Sequence, residues 1–400
     1  MTPAECRAAG RLSGHAFAGL VSRIEQVHAV IAGRAFAPIG PAGAPAKLAH
    51  DSAARAAYAA VRGAGRAAAV VGGHAAALAD GDDHPAGGRR SGNLAVAALN
   101  AVAGDRLGPD LAPLVIRMAI RAAGRDVAPL PGQVAAAFPA ATPRLAVFVH
   151  GLGETEDSWH RRAERSTPYG DRLRDEFGYT PVYVRYNTGR HVSANGRDLA
   201  ALLAGLAAAW PVPAEEIVLA GHSMGGLVIR SACHDGRQAS AGWVDLVRHV
   251  LYLGTPHLGA PLARAAGLAG WALARIPETR PFAGLAAGPA SVRDLRHGYL
   301  LDDDWAGCDQ NCLHDHRHDV PLLGSANHYV ISAVVTADPA SPAGAIVGDL
   351  LVQPASAHGR RGARRHIPFP VEGGRELGGR HHFDLLNDEG VWTAIRGWFG

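Results

Sequence analysis

The stretch that decides the fold of this 400-residue chain is IVLAGHSMGGLVIRS, residues 217–231. Its first four residues are an apolar run typical of a buried strand, and the residues from Leu227 onward have a helical pattern. Between them lies G-x-S-x-G, with Ser223 at its centre. A serine on a tight turn between a strand and a helix is exposed above the helix N-terminus. The pattern therefore predicts Ser223 as a nucleophile. In a chain with 50 glycines the same string also fits an ordinary turn, but the flanking strand and helix favour the nucleophile elbow.

A second glycine turn lies upstream, in VFVHGLG at residues 147–153, again directly after an apolar run. Acyl transfer needs two backbone N–H groups aimed at the developing oxyanion. One comes from the residue after the nucleophile and one from an early loop of this kind. We predict that Met224 and Leu152 supply them. A strand that ends in a glycine turn is common, but this turn precedes an elbow by about 70 residues.

Short apolar runs recur along the second part of the chain, each followed by a turn and a helical pattern. They lie at residues 145–149, 182–186, 217–220, 249–253 and 329–335, with a last strand expected at 367–371. Continuous apolar strands that alternate with helices predict an α/β fold with a parallel sheet covered on both faces. Ligands of such sheets bind at the carboxyl ends of the strands.

The first part of the chain has a different pattern. Residues 1–143 are Ala-rich, with apolar residues at helical spacing around Leu20–Ile31 and Tyr58–Arg62 and further helices expected near 93–103 and 111–123. Four prolines between residues 129 and 143 form a linker. We therefore predict a helical N-terminal region and linker at 1–143 and a second domain at 144–400.

Composition excludes several classes of protein. Thirty-nine Lys and Arg against 36 Asp and Glu leave a net charge of +3, which gives no strong field for nucleic acid. Four cysteines do not make a disulfide scaffold, and the first residues do not resemble a secretory signal, so we expect a cytoplasmic protein. No apolar stretch is long enough to span a membrane.

A histidine must act as base if Ser223 is a nucleophile. The chain has 21 histidines, most of which will be surface or core residues. His381 and His382 are selected by their position near the end of the chain, after the last predicted strand.

Four strings resemble, in this order, those of bacterial serine lipases and esterases of the α/β-hydrolase fold, including the GPI-inositol-deacylase-like branch. They are VFVHGLG, GHSMGG, LGTPHLGAPLA and HHFDLLND. The resemblance covers about residues 144–400 and implies an α/β-hydrolase fold with His382 as base. The family order Ser, Asp/Glu, His places the acid before His382, which excludes Asp384 and Asp388.

Two carboxylates remain as candidates for the acid. Asp338 closely follows a predicted strand, but its Asp-Pro sequence fits a turn equally well. Asp349 lies in GDLLVQPASA, residues 348–357, which is similar to the loop where these lipases carry the acid. We favour Asp349, whose task is to accept Nδ1–H of His382 and fix its tautomer.

An insertion at about 259–321 occupies the place where these hydrolases carry a cap over the serine. It is rich in apolar residues, which suits a hydrophobic acyl substrate, although packing of the cap on the body also accounts for many of them. They are Leu262, Leu268, Trp271, Leu273, Ile276, Leu285, Leu295, Tyr299, Leu300 and Trp305.

Two polar clusters have ambiguous roles. Cys308 and Cys312, with histidines at 314, 316 and 318, have ligand types that suit zinc, but a solvated loop is the simpler interpretation. Arginines 360, 361, 364 and 365 fit a solvated loop or a contact with anionic head groups.

The sequence thus predicts a serine carboxylic-ester hydrolase that acts through an acyl-enzyme on a hydrophobic acyl ester, with Ser223, Asp349 and His382 as its triad and no cofactor or metal. The expected partner is a small-molecule or lipid ester, with no nucleic acid and with membrane-surface contact left open. The alternatives are an acyltransferase with the same triad and a non-catalytic interaction protein on a hydrolase scaffold.

Overall fold

The computed structural model of the chain describes residues 1–79, 90–277, 279–307, 314–361 and 365–400. Ten strands are found in these residues. They are β1 (Ala119–Ala122), β2 (Arg125–Val127), β3 (Arg144–Val149), β4 (Thr180–Arg185), β5 (Glu216–His222), β6 (Val247–Leu253), β7 (Asn327–Ala333), β8 (Arg360–Arg361), β9 (Arg365–His366) and β10 (Gly374–Leu377).

Eight of these strands form one sheet in the order β10-β7-β6-β5-β3-β4-β1-β2. The six strands from β10 to β4 are parallel, whereas β1 pairs antiparallel with β4 and β2. β8 and β9 form a separate antiparallel pair. The predicted α/β fold with a mostly parallel sheet is therefore confirmed.

Helices cover both faces of the sheet, and others form the N-terminal region and the cap. The longer ones are α1 (Pro3–Phe36), α2 (Ala44–Ala79), α3 (Arg90–Ala103), α5 (Tyr169–Phe177), α6 (Val192–Ala209), α7 (Met224–Gln238), α8 (Pro261–Arg275), α9 (Arg280–Ala287) and α14 (Glu389–Phe399). The shorter ones are α4 (Pro131–Ala137), α10 (Ala290–Asp294), α11 (Asp302–Trp305), α12 (Pro342–Val347) and α13 (Pro354–Ala357). The described residues also form 3₁₀ segments at Ala37–Gly43, Pro109–Leu114, Glu156–His160, Gly242–Leu246 and His382–Leu385.

The continuous apolar strands arise because both faces are buried. Along β3, Val147 and Val149 point into the core that contains α6 and α7. Ala146 and Phe148 point into the opposite core, with α5 and α14. Successive side chains of a strand alternate between faces, so a strand covered on both sides needs apolar residues at every position.

Two predictions of local structure are wrong. The helix expected at 111–123 is instead a 3₁₀ segment at Pro109–Leu114 followed by β1. β1 forms because Ala119–Arg121 pair with Tyr183–Arg185 of β4, so the sheet begins before residue 144. The last strand of the sheet is β10, beyond the expected 367–371, where Pro368 and Pro370 lack the N–H groups that a ladder requires.

The N-terminal region contains the other predicted helices. The apolar patterns around Leu20–Ile31 and Tyr58–Arg62 lie in α1 and α2, which form a hairpin. The two helices approach closely where Gly10 meets Gly73, since a Cβ on Gly10 would lie 2.7 Å from Cα of Gly73. Among the described helices, none has the length and apolar character needed to cross a membrane.

A cap lies between β6 and β7 and is formed by α8 to α11. Within the cap, Nε of Arg264 in α8 donates to the carbonyl of Arg296, which follows α10, at 2.9 Å. The cap is joined to the body through Ser231 of α7, whose hydroxyl donates to the carbonyl of Leu300 at 2.8 Å. The N-terminal hairpin contacts the cap as well, because Nε of Arg23 donates to the carbonyl of Pro281 at 3.1 Å. Cap residues Leu262 and Leu295 line the same cavity as Leu152 and Ser223, so the cap covers the carboxyl ends of β3 and β5.

Candidate functional site

Ser223 lies on the turn between β5 and α7. Its φ of 53° and ψ of −124° are unusual for a residue other than glycine, and its N–H donates to the carbonyl of Leu253 at 2.8 Å. The turn requires glycines two residues before and after Ser223: a Cβ on Gly221 would lie 2.5 Å from the backbone N of Gly226, and a Cβ on Gly225 would lie 2.2 Å from the carbonyl oxygen of Val149. The G-x-S-x-G string thus folds as the predicted elbow.

His382 and Asp349 form a hydrogen-bonded pair. Nδ1 of His382 lies 2.7 Å from Oδ2 of Asp349, and both side chains are buried. The other carboxylate oxygen accepts the N–H groups of Leu351 and Val352 at 3.0 and 2.7 Å. With Nδ1–H given to the carboxylate, Nε2 of His382 is the acceptor nitrogen. It is buried and has no hydrogen-bond partner in the described chain.

The second candidate acid, Asp338, and the excluded Asp384 have different contacts. Asp338 is exposed, and its Oδ1 accepts the N–H of Ala340 at 3.0 Å within a turn. Asp384 accepts the backbone N–H of His381 and pairs with Arg162. Of the two candidate acids, Asp349 is thus the one in contact with His382.

The glycine turn after β3 leaves one amide free. The N–H of Gly151 donates to Glu154 at 2.6 Å, and that of Gly153 donates to Thr188 at 3.2 Å. The N–H of Leu152, between them, has no acceptor among the described residues. Met224 is the first residue of α7, so its N–H has no intrahelical acceptor either. These are the two amides predicted to bind an oxyanion.

Three of these residues line one cavity of about 340 Å³. Its floor includes Leu152, Ser223 and His382. The opposite wall is apolar and comes largely from the cap and the loop after Asp349; its residues are Pro256, Ala260, Leu262, Ala263, Ala266, Val292, Leu295, Leu351, Val352 and Phe383. The cavity therefore combines a polar floor with walls that suit a hydrocarbon group.

The apolar cap residues divide into three groups. Leu262 and Leu295 line the cavity. Tyr299 and Leu300 are buried, which fits packing of the cap on the body. The other predicted cap residues do not line the cavity: Leu273 and Trp305 are partly buried, and the exposed ones are Leu268, Trp271 and Leu285 in α8 and α9 and Ile276 directly after α8.

A buried pair that sequence reasoning missed lies beside the elbow. Nδ1 of His222 is 2.9 Å from Oε2 of Glu154, and both residues line the cavity. Burial alone would raise the pKa of Glu154, but the charge and hydrogen bond of His222 outweigh it and lower that pKa to about 2. Burial likewise opposes the charge of His222, but the carboxylate raises its pKa. The sequence offers one indication of this pair: Glu154 follows Gly153 and His222 follows Gly221, each a glycine of a predicted motif.

The predicted polar clusters give no site in the described structure. Cys308 and Cys312 lie outside the described residues, and Nδ1 of His318 is 2.9 Å from Asp304. Within the described ranges, no group of three or more His, Cys, Asp or Glu residues could hold a metal ion. Arg360 and Arg361 form β8, whereas Arg364 lies outside the described residues.

The parallel strand order, with the serine elbow directly after β5, is that of an α/β-hydrolase fold. Residues 146–270 match the family described as the PGAP1-like alpha/beta domain. The matched segment extends from β3 into α8 and includes Leu152 and Ser223. The predicted resemblance to α/β-hydrolase lipases and esterases is confirmed.

Solved structures similar to this chain include bacterial and archaeal enzymes. The mature lipase BlEst2 of Bacillus licheniformis is 21% identical, with 64% of this chain and 91% of that chain covered and a TM-score of 0.42. The Pyrobaculum calidifontis esterase is 14% identical, with 63% of this chain and 74% of that chain covered and a TM-score of 0.34. Phospholipase PlaB of Legionella pneumophila is 16% identical, with 60% of this chain and 53% of that chain covered and a TM-score of 0.37. No curated protein matches the sequence. The geometry of the site residues is therefore the basis for assigning their roles.

Proposed function

We propose that this protein is a serine carboxylic-ester hydrolase that acts through an acyl-enzyme on esters of hydrophobic acids. The observation that carries the proposal is the cavity that contains Ser223, His382 and the free amide of Leu152 beneath an apolar wall. A nucleophile, a base and an oxyanion donor at one site are the parts that acyl transfer requires.

In the first step, Nε2 of His382 accepts the proton of Ser223 as Oγ attacks the ester carbonyl. The Nδ1–H bond to Asp349 fixes the tautomer that leaves Nε2 as the acceptor, and the carboxylate stabilises the imidazolium that forms. The N–H groups of Leu152 and Met224 bind the oxyanion.

In the second step, the tetrahedral intermediate collapses and the C–O bond to the alcohol breaks. The alcohol leaves with the proton that His382 holds, and Ser223 keeps the acyl group. Water then attacks the acyl-enzyme while His382 takes its proton. The bond between the acyl carbon and Oγ breaks, His382 returns the proton to Ser223, and the carboxylic acid is released. Each turnover consumes one ester and one water.

The apolar wall indicates which part of the substrate the cavity receives. Leu262, Val292 and Leu295 surround space above the serine with few polar groups. A charged or sugar-like acyl group placed there would lose water without gaining hydrogen bonds, whereas a hydrocarbon chain gains free energy from burial. We therefore propose a fatty-acyl or similarly apolar ester as substrate.

The test uses a fluorophosphonate probe and a chromogenic ester on the purified full chain. Parent protein should be labelled at Ser223 and should hydrolyse the ester. Ser223→Ala should lose labelling and about 10⁴-fold or more of kcat. Ser240→Ala is a matched control, because Ser240 also has a positive φ, of 51°, but is exposed and follows no strand. Labelling that persists in Ser223→Ala would contradict the proposal.

A further inference from the structure

The Glu154–His222 pair joins three parts of the site. Oε2 of Glu154 accepts the N–H of Gly151 at 2.6 Å in the loop that carries the Leu152 amide, and it faces Nδ1 of His222 at 2.9 Å. Nε2 of His222 lies 3.3 Å from the carbonyl oxygen of His382. His222 directly precedes Ser223. The pair therefore contacts residues 151–153, which we call the oxyanion loop, as well as the elbow and the backbone of His382.

The two partners of His222 determine its protonation state. A carboxylate and a backbone carbonyl can only accept hydrogen bonds, and they lie at opposite nitrogens of the ring. A neutral imidazole has one N–H and can satisfy one of them, whereas an imidazolium donates to both. His222 is fully buried and Glu154 is 8% exposed, so neither charge has water as an alternative partner. The geometry thus fits a charged ring beside a charged carboxylate.

The surrounding titratable groups are consistent with this state. His150, which stacks on Tyr186, is fully buried, and burial lowers the pKa of its ring, so it brings no second positive charge. Burial raises the pKa of Tyr186 well above its usual value, so the phenol is neutral. Asp349 lies on the far side of His382 and favours a positive charge on His222. Trp159 and Phe383 supply uncharged ring contacts. The ring of His382 also lies beside His222, with 4.8 Å between the ring centroids, and Asp349 and Glu154 offset the positive charges of these two rings.

This inference rests on the proposed function. We propose that Glu154 and His222 are positioning residues, a charge-paired link that holds the oxyanion loop and the loop of the base against the elbow. The imidazolium also neutralises a carboxylate that would otherwise repel the oxyanion formed at the neighbouring amides. Loss of the His222 proton breaks one of the two hydrogen bonds and leaves the carboxylate charge uncompensated.

Three variants separate the two hydrogen bonds. His222→Asn keeps an N–H near the position of Nδ1 but cannot reach the carbonyl of His382. His222→Gln can reach that carbonyl but lacks the Nδ1 donor to Glu154. Glu154→Gln removes the negative charge. His328→Gln is the matched control, because His328 is also buried but contacts Tyr252 and Leu323 away from the cavity.

The measurements are kcat and KM of an ester across pH 6–10, on protein shown to be folded by its circular dichroism. Each of the three site variants should lose about tenfold to a hundredfold in kcat, the cost of a buried hydrogen bond to a charged group, with little change in KM. In Glu154→Gln the alkaline fall of kcat should move to lower pH, since the carboxylate that favours the charged ring is gone. The His328→Gln profile should match the parent profile.

A spectroscopic readout does not depend on turnover. In ¹⁵N-histidine-labelled Ser223→Ala protein at pH 8, both ring nitrogens of His222 should carry protons, with His222→Gln in the same background used to assign the signals. A neutral His222 ring, or variants that retain the parent's kcat and pH profile, would overturn this inference while leaving ester hydrolysis intact. A parent without turnover or labelling of Ser223 would instead overturn the proposed function.

Discussion

Gly151 and Ser223 lie so close together that a Cβ atom on Gly151 would be 2.9 Å from Cβ of Ser223 and 3.0 Å from Oε2 of Glu154. Contacts this short force a shift of the backbone. Because the next residue carries the free amide of Leu152, any side chain at position 151 would move that N–H relative to the nucleophile.

Gly151→Ala should therefore lower kcat of ester hydrolysis by about 10²–10³-fold, the cost of one displaced oxyanion donor, while KM changes little. Gly132→Ala is the control, because a Cβ there meets no atom within 4 Å. Steady-state kinetics and thermal unfolding of both variants make the test. A folded Gly151→Ala protein with the parent's kcat would contradict the role of this loop.

The two candidate acids are distinguished by amide substitution. Asp349→Asn should lower kcat by about 10⁴-fold, because an amide can hold His382 in the wrong tautomer. Asp338→Asn should leave kcat near the parent value, since Asp338 is exposed and caps a turn. Kinetics of the two variants at pH 8 provide the comparison. Loss in Asp338→Asn alone would move the acid to Asp338.

A buried histidine outside the site predicts the acid stability of the fold. Burial lowers the pKa of His328 from 6.5 to about 4, and its Nε2–H donates to the carbonyl of Leu323 at 3.0 Å. Between these pH values the unfolded chain binds the proton that the folded chain excludes, so stability falls as the pH decreases from 6.5 towards 4. The full effect is about 3 kcal/mol, at 1.36 kcal/mol per pKa unit.

The measurement is the free energy of urea unfolding at pH 7.5, 6 and 5 for the parent and His328→Gln. The variant should start less stable at pH 7.5, since it loses the contact with Tyr252. Between pH 7.5 and 5 it should lose about 2 kcal/mol less than the parent, because glutamine does not titrate. Parallel pH curves for the two proteins would show that His328 takes up its proton without unfolding the chain.

The elements that the sequence predicted correctly are those specified by local patterns. Val147 and Phe148 belong to a continuous apolar run, which is typical of a strand buried on both faces. The glycines around Ser223 allow the tight turn of the elbow. β1 was missed because its strand conformation arises from pairing with Tyr183–Arg185, some 60 residues later. Local spacing carries no information on such a partner.

The site shows the same division between local and distant information. Ser223 and Leu152 could be located by strand-turn patterns, whereas the choice of His382 among 21 histidines depended on a family resemblance. Glu154 and His222 are 68 residues apart and meet only after β3 and β5 pair in the sheet. Their interaction could not be predicted from either motif alone.

The cap wall should set the preference for acyl chain length. Each methylene buried in a fitting groove contributes about 0.8 kcal/mol, so four additional carbons favour a substrate by about 3 kcal/mol, or roughly a hundredfold. For the parent protein, kcat/KM toward chromogenic esters should thus rise from acetate to medium-chain acyl groups. A steady fall from acetate upward would reject an apolar acyl substrate while leaving the serine chemistry intact.

Ala266 allows the location of that groove to be tested. It lies on α8 and lines the cavity, whereas the adjacent Ala265 is exposed and does not line it. Ala266→Trp should fill the space where a longer chain lies, so kcat/KM for octanoate should fall at least tenfold while that for acetate changes little. Ala265→Trp adds the same side chain to the same helix and should keep the parent's preference. If both variants retain the preference for octanoate, the acyl chain binds elsewhere, because a tryptophan at position 266 leaves no room for it beneath α8.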